Sequence, residues 1–327
     1  MEKRISVVIP NYNKSGTIGK CLDAVFSSEY KNFEVVVVDD CSDDNSVDII
    51  RQYPCKLICL EKRSGTSVAR NRGTAGSTGE VVFFTDSDCL LQKDTLSLIN
   101  IAISRAGHDS VIGGTYTKLP YDVNFFSIFQ SLFIHYSETK NPGNPDYIAA
   151  HAMVISAEVF KKSGGFPEDF MPIIEDVEFS HRLRISGYRL IMNPDIQVQH
   201  VFDFSLIKSL KNAFRKTKYW CMYSLKNRGL FTDSGTASTE LKTNVASFSL
   251  TLFLILLWAA THSPLIMYSL PVLFSVNIFV SRHLMKVFYE SQGIGFAGLA
   301  SAYYMLVYPL PVGLGTISAV FHFLLRK

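Results

Sequence analysis

The sequence of 327 residues lacks the glycine-rich loops that bind phosphate in two large classes of enzyme. Neither G-x-G-x-x-G nor G-x-x-x-x-G-K-[ST] follows the first predicted strand, Ile5–Ile9. A dinucleotide-dependent dehydrogenase and a P-loop NTPase are therefore not expected. Any phosphate would have to be held by a metal ion and by cations such as Arg70 or Arg72.

Cysteine and net charge are also scarce. The six cysteines are scattered, and Cys55 and Cys59 lack the C-x-x-C spacing of a zinc or redox site. We expect all six to be reduced and structural, as in a cytosolic catalytic domain. A formal net charge of +3 is too small to indicate a nucleic-acid partner, and the apolar run near the N-terminus is too short for a signal peptide.

Acidic residues almost disappear beyond Val245, where Glu290 stands alone. Two apolar runs, Val245–His262 and Pro264–Val280, approach the roughly 20 residues that span a bilayer. A third segment, Gly295–Leu325, predicts either one span kinked at its prolines or a re-entrant hairpin. The terminal Arg326-Lys327 favours the hairpin, so residues 245–327 are predicted to form a transmembrane domain.

Basic residues indicate how this domain is oriented. Arg282, His283 and Lys286 follow the second span, so we expect a cytosolic loop over Arg282–Gly293 and a cytosolic catalytic domain. This predicts a multi-pass protein of the plasma (inner) membrane. Residues 204–244 precede the spans as a basic amphipathic helix, Ser205–Arg228, and a polar linker. The helix would lie either in the headgroup layer, which we favour, or on the soluble domain.

Residues 1–203 have the pattern of a soluble α/β domain. Short apolar strands alternate with helices at short spacing, and the strands are continuously apolar rather than alternating. Such strands are typical of a parallel sheet covered by helices. Ligands of such sheets bind beyond the carboxyl ends of the strands.

The strand Val81–Thr85 runs directly into Asp86 and Asp88. Side chains at positions i and i+2 fall on one side of an extended backbone, so both carboxylates can converge on one point. Two carboxylates suit Mg²⁺ or Mn²⁺, which commonly share their ligand shell with substrate phosphates. The alternative is an ordinary surface turn, but Asn11–Asn13 and Asp39-Asp40 also follow predicted strands.

Glu175 and Asp176 open a predicted helix that ends at Gly187 and also carries Arg182. Acids in a first turn stabilise the helix dipole, but a carboxylate there can equally act as a general base toward a sugar hydroxyl. His200, at the end of a later strand, is either a third metal ligand or a buried structural histidine. His151 is more typical of a core residue.

Six segments, taken together and in this order, resemble the family 2 glycosyltransferases of the GT-A fold, which is Rossmann-like with a mostly parallel sheet. They are ISVVIPNYNKSGTIGKCL, VVVVDDCSDDNS, SVARNRG, VVFFTDSD, GGF and EDVEFSHRLRISGYRLIMNPDIQVQH. The resemblance covers roughly residues 5–200. It implies an enzyme that transfers a sugar from a nucleotide-sugar with inversion of the anomeric centre.

The resemblance also implies roles for individual residues. Pro10, Tyr12 and Asp40 would line the nucleoside pocket, Arg70 would lie near the nucleotide, and Asp86 would reach the ribose or sugar. In the same way, Asp88 and His200 would be metal ligands and Asp176 would be the base. Glu175 and Arg182 would bind substrate. The donor is expected to be a UDP-sugar.

Two departures from the family pattern are visible. Cys41 stands where a glycine usually follows the paired acids, and the Q-x-x-R-W motif of processive synthases is absent from Ser180–Arg184. Transfer of a single sugar is therefore favoured over polymerisation.

The membrane segments favour a lipid-linked acceptor, such as a polyisoprenyl-linked saccharide or glycolipid of cell-surface polysaccharide assembly. Two alternatives remain open at this point. One is direct transfer onto polyisoprenyl phosphate, which needs no base. The other is a non-catalytic membrane scaffold that binds nucleotide-sugars.

Overall fold

Apolar and β-branched segments form one eight-stranded sheet in the computed structural model, which describes residues 2–107, 109–227 and 233–325. The strands are β1 (Ile5–Asn11), β2 (Phe33–Asp39), β3 (Lys56–Cys59), β4 (Val81–Thr85), β5 (Cys89–Leu91), β6 (Ser110–Tyr116), β7 (Ala152–Ser156) and β8 (Arg189–His200). Their spatial order is β3-β2-β1-β4-β7-β6-β8-β5.

The sheet is mixed. Strands β3, β2, β1 and β4 are parallel to one another, and β6 is parallel to β8. Strand β7 runs antiparallel to both β4 and β6, and β5 runs antiparallel to β8. The predicted α/β fold class is confirmed, and the parallel half is the part that the alternation of strands and helices predicts.

Seven helices connect or flank these strands. They are α1 (Ile18–Phe26), α2 (Ser46–Ile50), α3 (Thr66–Ala75), α4 (Thr95–Ala106), α5 (Phe125–Thr139), α6 (Ala157–Lys162) and α7 (Glu175–Ile185). Helix α3 packs closely on the sheet at Gly73, where a Cβ atom would lie 2.4 Å from Val8 Cγ1. An apolar core that includes Phe84, Phe166 and Phe179 contains residues of the strands and of α6 and α7.

The chain divides into two compact units. One comprises Met1–Val123 with Glu138–Asp203, and the other comprises Asn124–Ser137 with Phe204–Lys327. Most of α5 therefore belongs to the second unit, although residues 1–203 were predicted as one domain. Phe129 and Phe133 of α5 are buried among aromatic side chains of this second unit, including Phe288 and Tyr303.

The second unit is otherwise built from long helices. After α5 these are α8 (Leu206–Lys226), α9 (Thr239–Thr261), α10 (Pro264–Ala302) and α11 (Pro309–Leu325), with a π-helical turn at Tyr303–Val307. Helices α8 and α11 pack tightly, because a Cβ at Gly315 would lie 2.7 Å from the Phe214 carbonyl oxygen. Lys211, Arg215 and Lys216 of α8 stay exposed.

Two helical stretches, Thr239–Thr261 and Pro264–Leu325, are long and apolar enough to cross a membrane. The predicted loop at Arg282–Gly293 is wrong, since the helix continues to a break at Gly293, whose φ is 75°. The polar linker is shorter than predicted, because α9 begins at Thr239 with Ser238 as its cap. Arg326-Lys327, and residues 228–232 of the helix-and-linker region, lie outside the described residues.

Buried amides stabilise the helices around the π-helical turn. Pro309 has no N–H for the Tyr304 carbonyl, and Asn244 Nδ2 donates to that oxygen at 2.6 Å instead. Asn277 Nδ2 then donates to Asn244 Oδ1 at 2.8 Å. The carbonyl that the proline would leave without a donor is thereby paired inside an apolar helix bundle.

Candidate active site

The carboxyl ends of β1 and β2 carry a network of polar side chains. Asn11 pairs with Asp39 in the sheet and donates through Nδ2 to Asp39 Oδ1 at 2.7 Å. Asp40, which is buried, accepts hydrogen bonds from the backbone N–H groups of Ser64 (2.6 Å) and Gly65 (2.9 Å). Asp40 thus fixes the start of α3, the helix that carries Arg70.

Cys41 follows these acids in the left-handed conformation, with a φ of 62°. Only glycine adopts this region without steric cost. Cys41 therefore departs from the family pattern in sequence but has the backbone conformation that glycine favours.

Two more of the predicted pocket residues lie at the end of β1. Pro10 is buried opposite Val38 of β2. The Arg63 guanidinium stacks over the Tyr12 ring, with Arg63 Cζ 4.2 Å from the ring centroid. The contact of Pro10, Tyr12 and Asp40 with a nucleoside stays a prediction.

Arg70 joins two of the candidate carboxylates. Its guanidinium donates to Asp86 Oδ1 at 2.8 Å and to Glu175 Oε1 at 2.5 Å, and its side chain is 4% exposed. Burial alone would lower the pKa of Arg70, but Asp86 and Glu175 hold it above its ordinary value. Burial would conversely raise the pKa of Asp86, but Arg70 outweighs that and lowers it. Asp86 and Arg70 are therefore both charged at neutral pH.

Asp176 has a different environment from Asp86. It accepts a hydrogen bond from the Ala150 N–H at 3.1 Å. Burial, and then the neighbouring charge of Glu175, raise the pKa of Asp176 to about 6, although Arg70 opposes this shift. A carboxylate with a pKa near neutrality is suited to accept a proton from a substrate.

Backbone geometry places Asp176 at the head of its helix. Ile174 precedes Glu175 with a φ of 68°, so the chain turns sharply through a left-handed residue before α7 begins. A β-branched residue is disfavoured there. Such outliers are concentrated at active sites.

Asp88 and His200 form the candidate metal site. His200 Nε2 lies 3.4 Å from Asp88 Oδ1, because β5 pairs with β8 immediately beyond Asp88. Burial lowers the pKa of His200, against the pull of Asp88, so the imidazole stays neutral and able to bind metal. Cys89 Sγ lies within the same group, whose ligand atoms are within 4.8 Å of one another. Burial keeps the pKa of Cys89 well above its ordinary value, so it is a thiol and not a thiolate ligand.

These residues fit Mg²⁺ or Mn²⁺ better than a thiolate-binding metal such as zinc. One carboxylate and one neutral imidazole leave most of the ligand shell for water and phosphate oxygens, as these ions prefer. A lysine is already bound here: Lys14 Nζ lies 2.6 Å from Asp88 Oδ2.

Buried polar atoms without a hydrogen-bond partner are concentrated in the same region. Among the described residues they include Asn11 Oδ1, Arg70 Nε, Thr85 Oγ1, His151 Nε2 and His200 Nδ1. Four of these five residues lie at or beside strand ends, and the fifth is Arg70. Such atoms are costly to bury unpaired, so this region is suited to a ligand or to bound water that supplies their partners.

Sequence reasoning missed part of this site. Lys14 follows the Asn11–Asn13 turn, and its position after a strand end is the signal that would have identified it. His151 was expected in the core. It is buried, but its ring stacks on Tyr116 at 3.9 Å and its Nε2 lies 3.5 Å from Glu138 Oε2. The antiparallel pair Thr85–Ala152 puts Asp86 and His151 side by side at the next position.

Arg182 is not among the residues that the structure brings together here. Its guanidinium donates to the backbone carbonyls of Ser163 and Gly165 and contacts Glu178. It therefore stabilises the glycine turn at 163–165. A substrate contact of Arg182 stays a prediction.

Comparison with known proteins agrees with this fold. Residues 6–163 match the family model described as Glycosyl transferase family 2. The chain is 28% identical over 237 residues to the glycosyltransferase AglE of Haloferax volcanii, a match that covers 69% of this chain and 77% of AglE. It is 32% identical over 182 residues to the glycosyltransferase GlyA of Streptococcus pneumoniae, covering 50% of this chain but only 26% of GlyA.

A solved structure shows the same fold. It is the mannosyltransferase PcManGT from Pyrobaculum calidifontis in complex with GDP-Man and Mn²⁺, which superposes with a TM-score of 0.60. The alignment covers 100% of this chain and 88% of PcManGT at 19% sequence identity. The fold is thus that of the GT-A glycosyltransferases. Within that class, residues 6–163 are similar to family 2.

Proposed function

We propose that this protein transfers one sugar, with inversion, from a nucleoside-diphosphate sugar to a hydroxyl group of a lipid-linked acceptor. The observation that carries this proposal is the contrast between two neighbouring carboxylates. Asp86 is bound to Arg70 and stays ionised, whereas Asp176 has a pKa of about 6 and accepts hydrogen bonds from the backbone amides of Ala150 and Val177. Asp176 is thus suited to deprotonate the acceptor hydroxyl as it attacks the anomeric carbon.

Other residues bind and orient the donor. Asp86, which is held by Arg70, would contact the ribose or sugar. Asp40, at the end of β2, would line the nucleoside pocket. A divalent ion held by Asp88 and His200 would neutralise charge that develops on the departing diphosphate. Inversion by a single displacement requires a base that deprotonates the acceptor. It does not require a second carboxylate that acts as a nucleophile.

The lipid-linked acceptor is proposed from the second unit. Only 6% of the most apolar window of Thr239–Thr261, and 11% of that of Pro264–Leu325, is buried within the protein. The core helix of a soluble protein would be mostly buried, so these exposed apolar surfaces support contact with lipid. The exposed cations of α8 support contact with anionic headgroups. We propose a plasma-membrane protein with a cytosolic catalytic unit that acts in cell-surface polysaccharide assembly.

The test is donor consumption by the purified full-length chain in detergent or nanodiscs with Mn²⁺ or Mg²⁺. UDP-, GDP- and dTDP-sugars are offered with and without polyisoprenyl diphosphate saccharides. We expect one donor, most simply a UDP-sugar, to be consumed fully only when metal and lipid-linked saccharide are both present. The GDP arm is informative because the similar PcManGT structure contains GDP-Man.

Each other outcome contradicts a stated part of the proposal. Equal transfer to bare polyisoprenyl phosphate would contradict the hydroxyl acceptor, because an ionised phosphate needs no base. Full activity in excess EDTA would contradict metal dependence. Nucleotide binding without transfer or hydrolysis of any donor would support the scaffold alternative.

A further inference from the structure

Lys14 contacts the candidate metal ligand although none of the motifs assigns it a role. Its Nζ lies 2.6 Å from Asp88 Oδ2, while the other carboxylate oxygen of Asp88 faces His200. The Asp88 side chain is 14% exposed and that of Lys14 is 41% exposed. The ammonium group therefore approaches Asp88 from the open side of the site.

The backbone of Lys14 is fixed independently of this ion pair. Its N–H donates to Ser46 Oγ at 2.9 Å, and the neighbouring residues Asn13 and Ser15 are hydrogen-bonded to Asp43 and Asp44. The loop is thus anchored to the connection that follows β2. The flexible side chain of Lys14 can change partners without moving the loop.

A divalent cation and an ammonium group cannot share one carboxylate without strong mutual repulsion. Lys14 and a metal ion therefore compete for Asp88. A nucleoside diphosphate changes this competition, because its phosphate oxygens offer the displaced ammonium a second anionic partner with several acceptors.

We propose that Lys14 neutralises Asp88 in the absence of donor and binds the donor diphosphate when a divalent cation takes its place. This inference rests on the proposed function, since it assumes a metal at Asp88 and a diphosphate beside it. It makes metal and nucleotide binding mutually dependent. A metal ion alone must displace the Lys14 ammonium group, and a nucleotide alone is repelled by the Asp88 carboxylate. Lys14 is a donor-binding residue in this scheme and takes no part in proton transfer.

The test measures binding rather than turnover. Free Mn²⁺ is followed by EPR during titration of the full-length chain, with and without UDP, for the wild type, Lys14→Met and Lys14→Arg. The control is Lys162→Met, which removes a lysine whose ion pair with Glu158 at 2.6 Å is exposed on α6.

Without UDP, we expect Lys14→Met to bind Mn²⁺ about three- to tenfold more tightly than the wild type, because the competing cation is gone. At saturating Mn²⁺ the same variant should bind UDP about tenfold more weakly, because a charge-assisted contact is lost. Lys14→Arg should restore both affinities toward the wild type, and Lys162→Met should leave both unchanged.

Two results separate failure of this inference from failure of the proposed function. Unchanged or weaker Mn²⁺ binding by Lys14→Met without UDP, or unchanged UDP binding, would overturn the role of Lys14. Absence of Mn²⁺ binding by the wild type in the presence of bound UDP would overturn the metal site itself, whichever lysine is present.

Discussion

Asp176 shows how the surroundings of one carboxylate give it chemistry that its neighbours lack. Replacing it with asparagine keeps an oxygen that can accept the Ala150 N–H but removes the group that takes a proton. We expect Asp176→Asn to reduce transfer by about 10²- to 10⁴-fold while leaving UDP affinity within about twofold. Isothermal titration with UDP and a single-turnover assay check the two parts. Near-normal turnover would show that another group is the base.

The raised pKa of Asp176 also predicts the dependence of activity on pH. The base must be ionised, so activity should be full above its pKa of about 6 and fall about tenfold per pH unit below it. The profile of kcat/KM between pH 4.5 and 8 measures this limb. A profile that is flat from pH 5 to 7 would disagree with the assignment.

Arg70 is the buried cation on which two carboxylates depend. Arg70→Met would leave Asp86 and Glu175 without their shared cation. We expect a loss of about 3 kcal/mol in the free energy of unfolding of the first unit, in the range found when a buried ion pair loses one partner. Thermal unfolding followed by circular dichroism measures it. Arg72→Met, in the same helix but exposed, should shift the transition far less.

How far the sequence predicts this site depends on where each partner comes from. Asp86 and Asp88 could be predicted as site residues because a buried strand leads directly into them. The pairing of Asp88 with Lys14 joins residues 74 positions apart and carries no local pattern. The observed contacts of Arg182 were not predicted, for a related reason. Its place on the same helix as Asp176 gave no sign that its guanidinium contacts the turn at 163–165.

At the scale of elements, the close approach of α3 to β1 fixes the position of Arg70 and of the two N–H groups that bind Asp40. Gly73→Ala would put a methyl carbon 2.4 Å from Val8 Cγ1 and 3.1 Å from Val38 Cγ2, so α3 must shift. We expect a lower melting temperature and a several-fold higher KM for the donor, since overpacking costs about 1–3 kcal/mol. Gly16→Ala is the control, because no atom lies within 4 Å of the added Cβ. Equal behaviour of the two variants would show that α3 adjusts without affecting the site.

The elements also show where the sequence pattern reaches its limit. The continuously apolar strands β1, β2 and β4 predicted the parallel half of the sheet, because only a strand buried on both faces has that composition. The antiparallel insertion of β7 between β4 and β6 is a long-range choice that no spacing within β7 encodes. Likewise, Gly293 ends a helix that the charges of Arg282 and Lys286 suggested would already have become a loop.

At the scale of the whole molecule, residues 124–137 belong to a unit formed mainly by residues after 203. A chain cut after Asp203 would therefore expose the buried faces of Phe129 and Phe133, which are 0% and 2% exposed in the full chain. We expect this truncated chain to aggregate, because large bare aromatic patches drive association. Size-exclusion chromatography checks the result.

A matched variant makes the cause of that aggregation testable. Phe129→Gln with Phe133→Gln in the truncated chain should increase the monomeric fraction. Two substitutions of buried phenylalanines elsewhere, Phe84→Gln and Phe166→Gln, should not. A monodisperse truncated chain without any substitution would show that α5 finds other partners within residues 1–203.

The same discontinuity sets a delay during synthesis between α5 and the helices that cover it. Tyr303, which packs on Phe129, is translated 174 residues later (303 − 129), about 9–35 s at usual elongation rates. During that interval the strands on both sides of α5 can already pair, while the helix itself waits with its aromatic face uncovered. Nascent chains of this protein therefore expose an aggregation-prone helix for many seconds. We expect a chaperone or the lipid surface to cover α5 until the last helices are made.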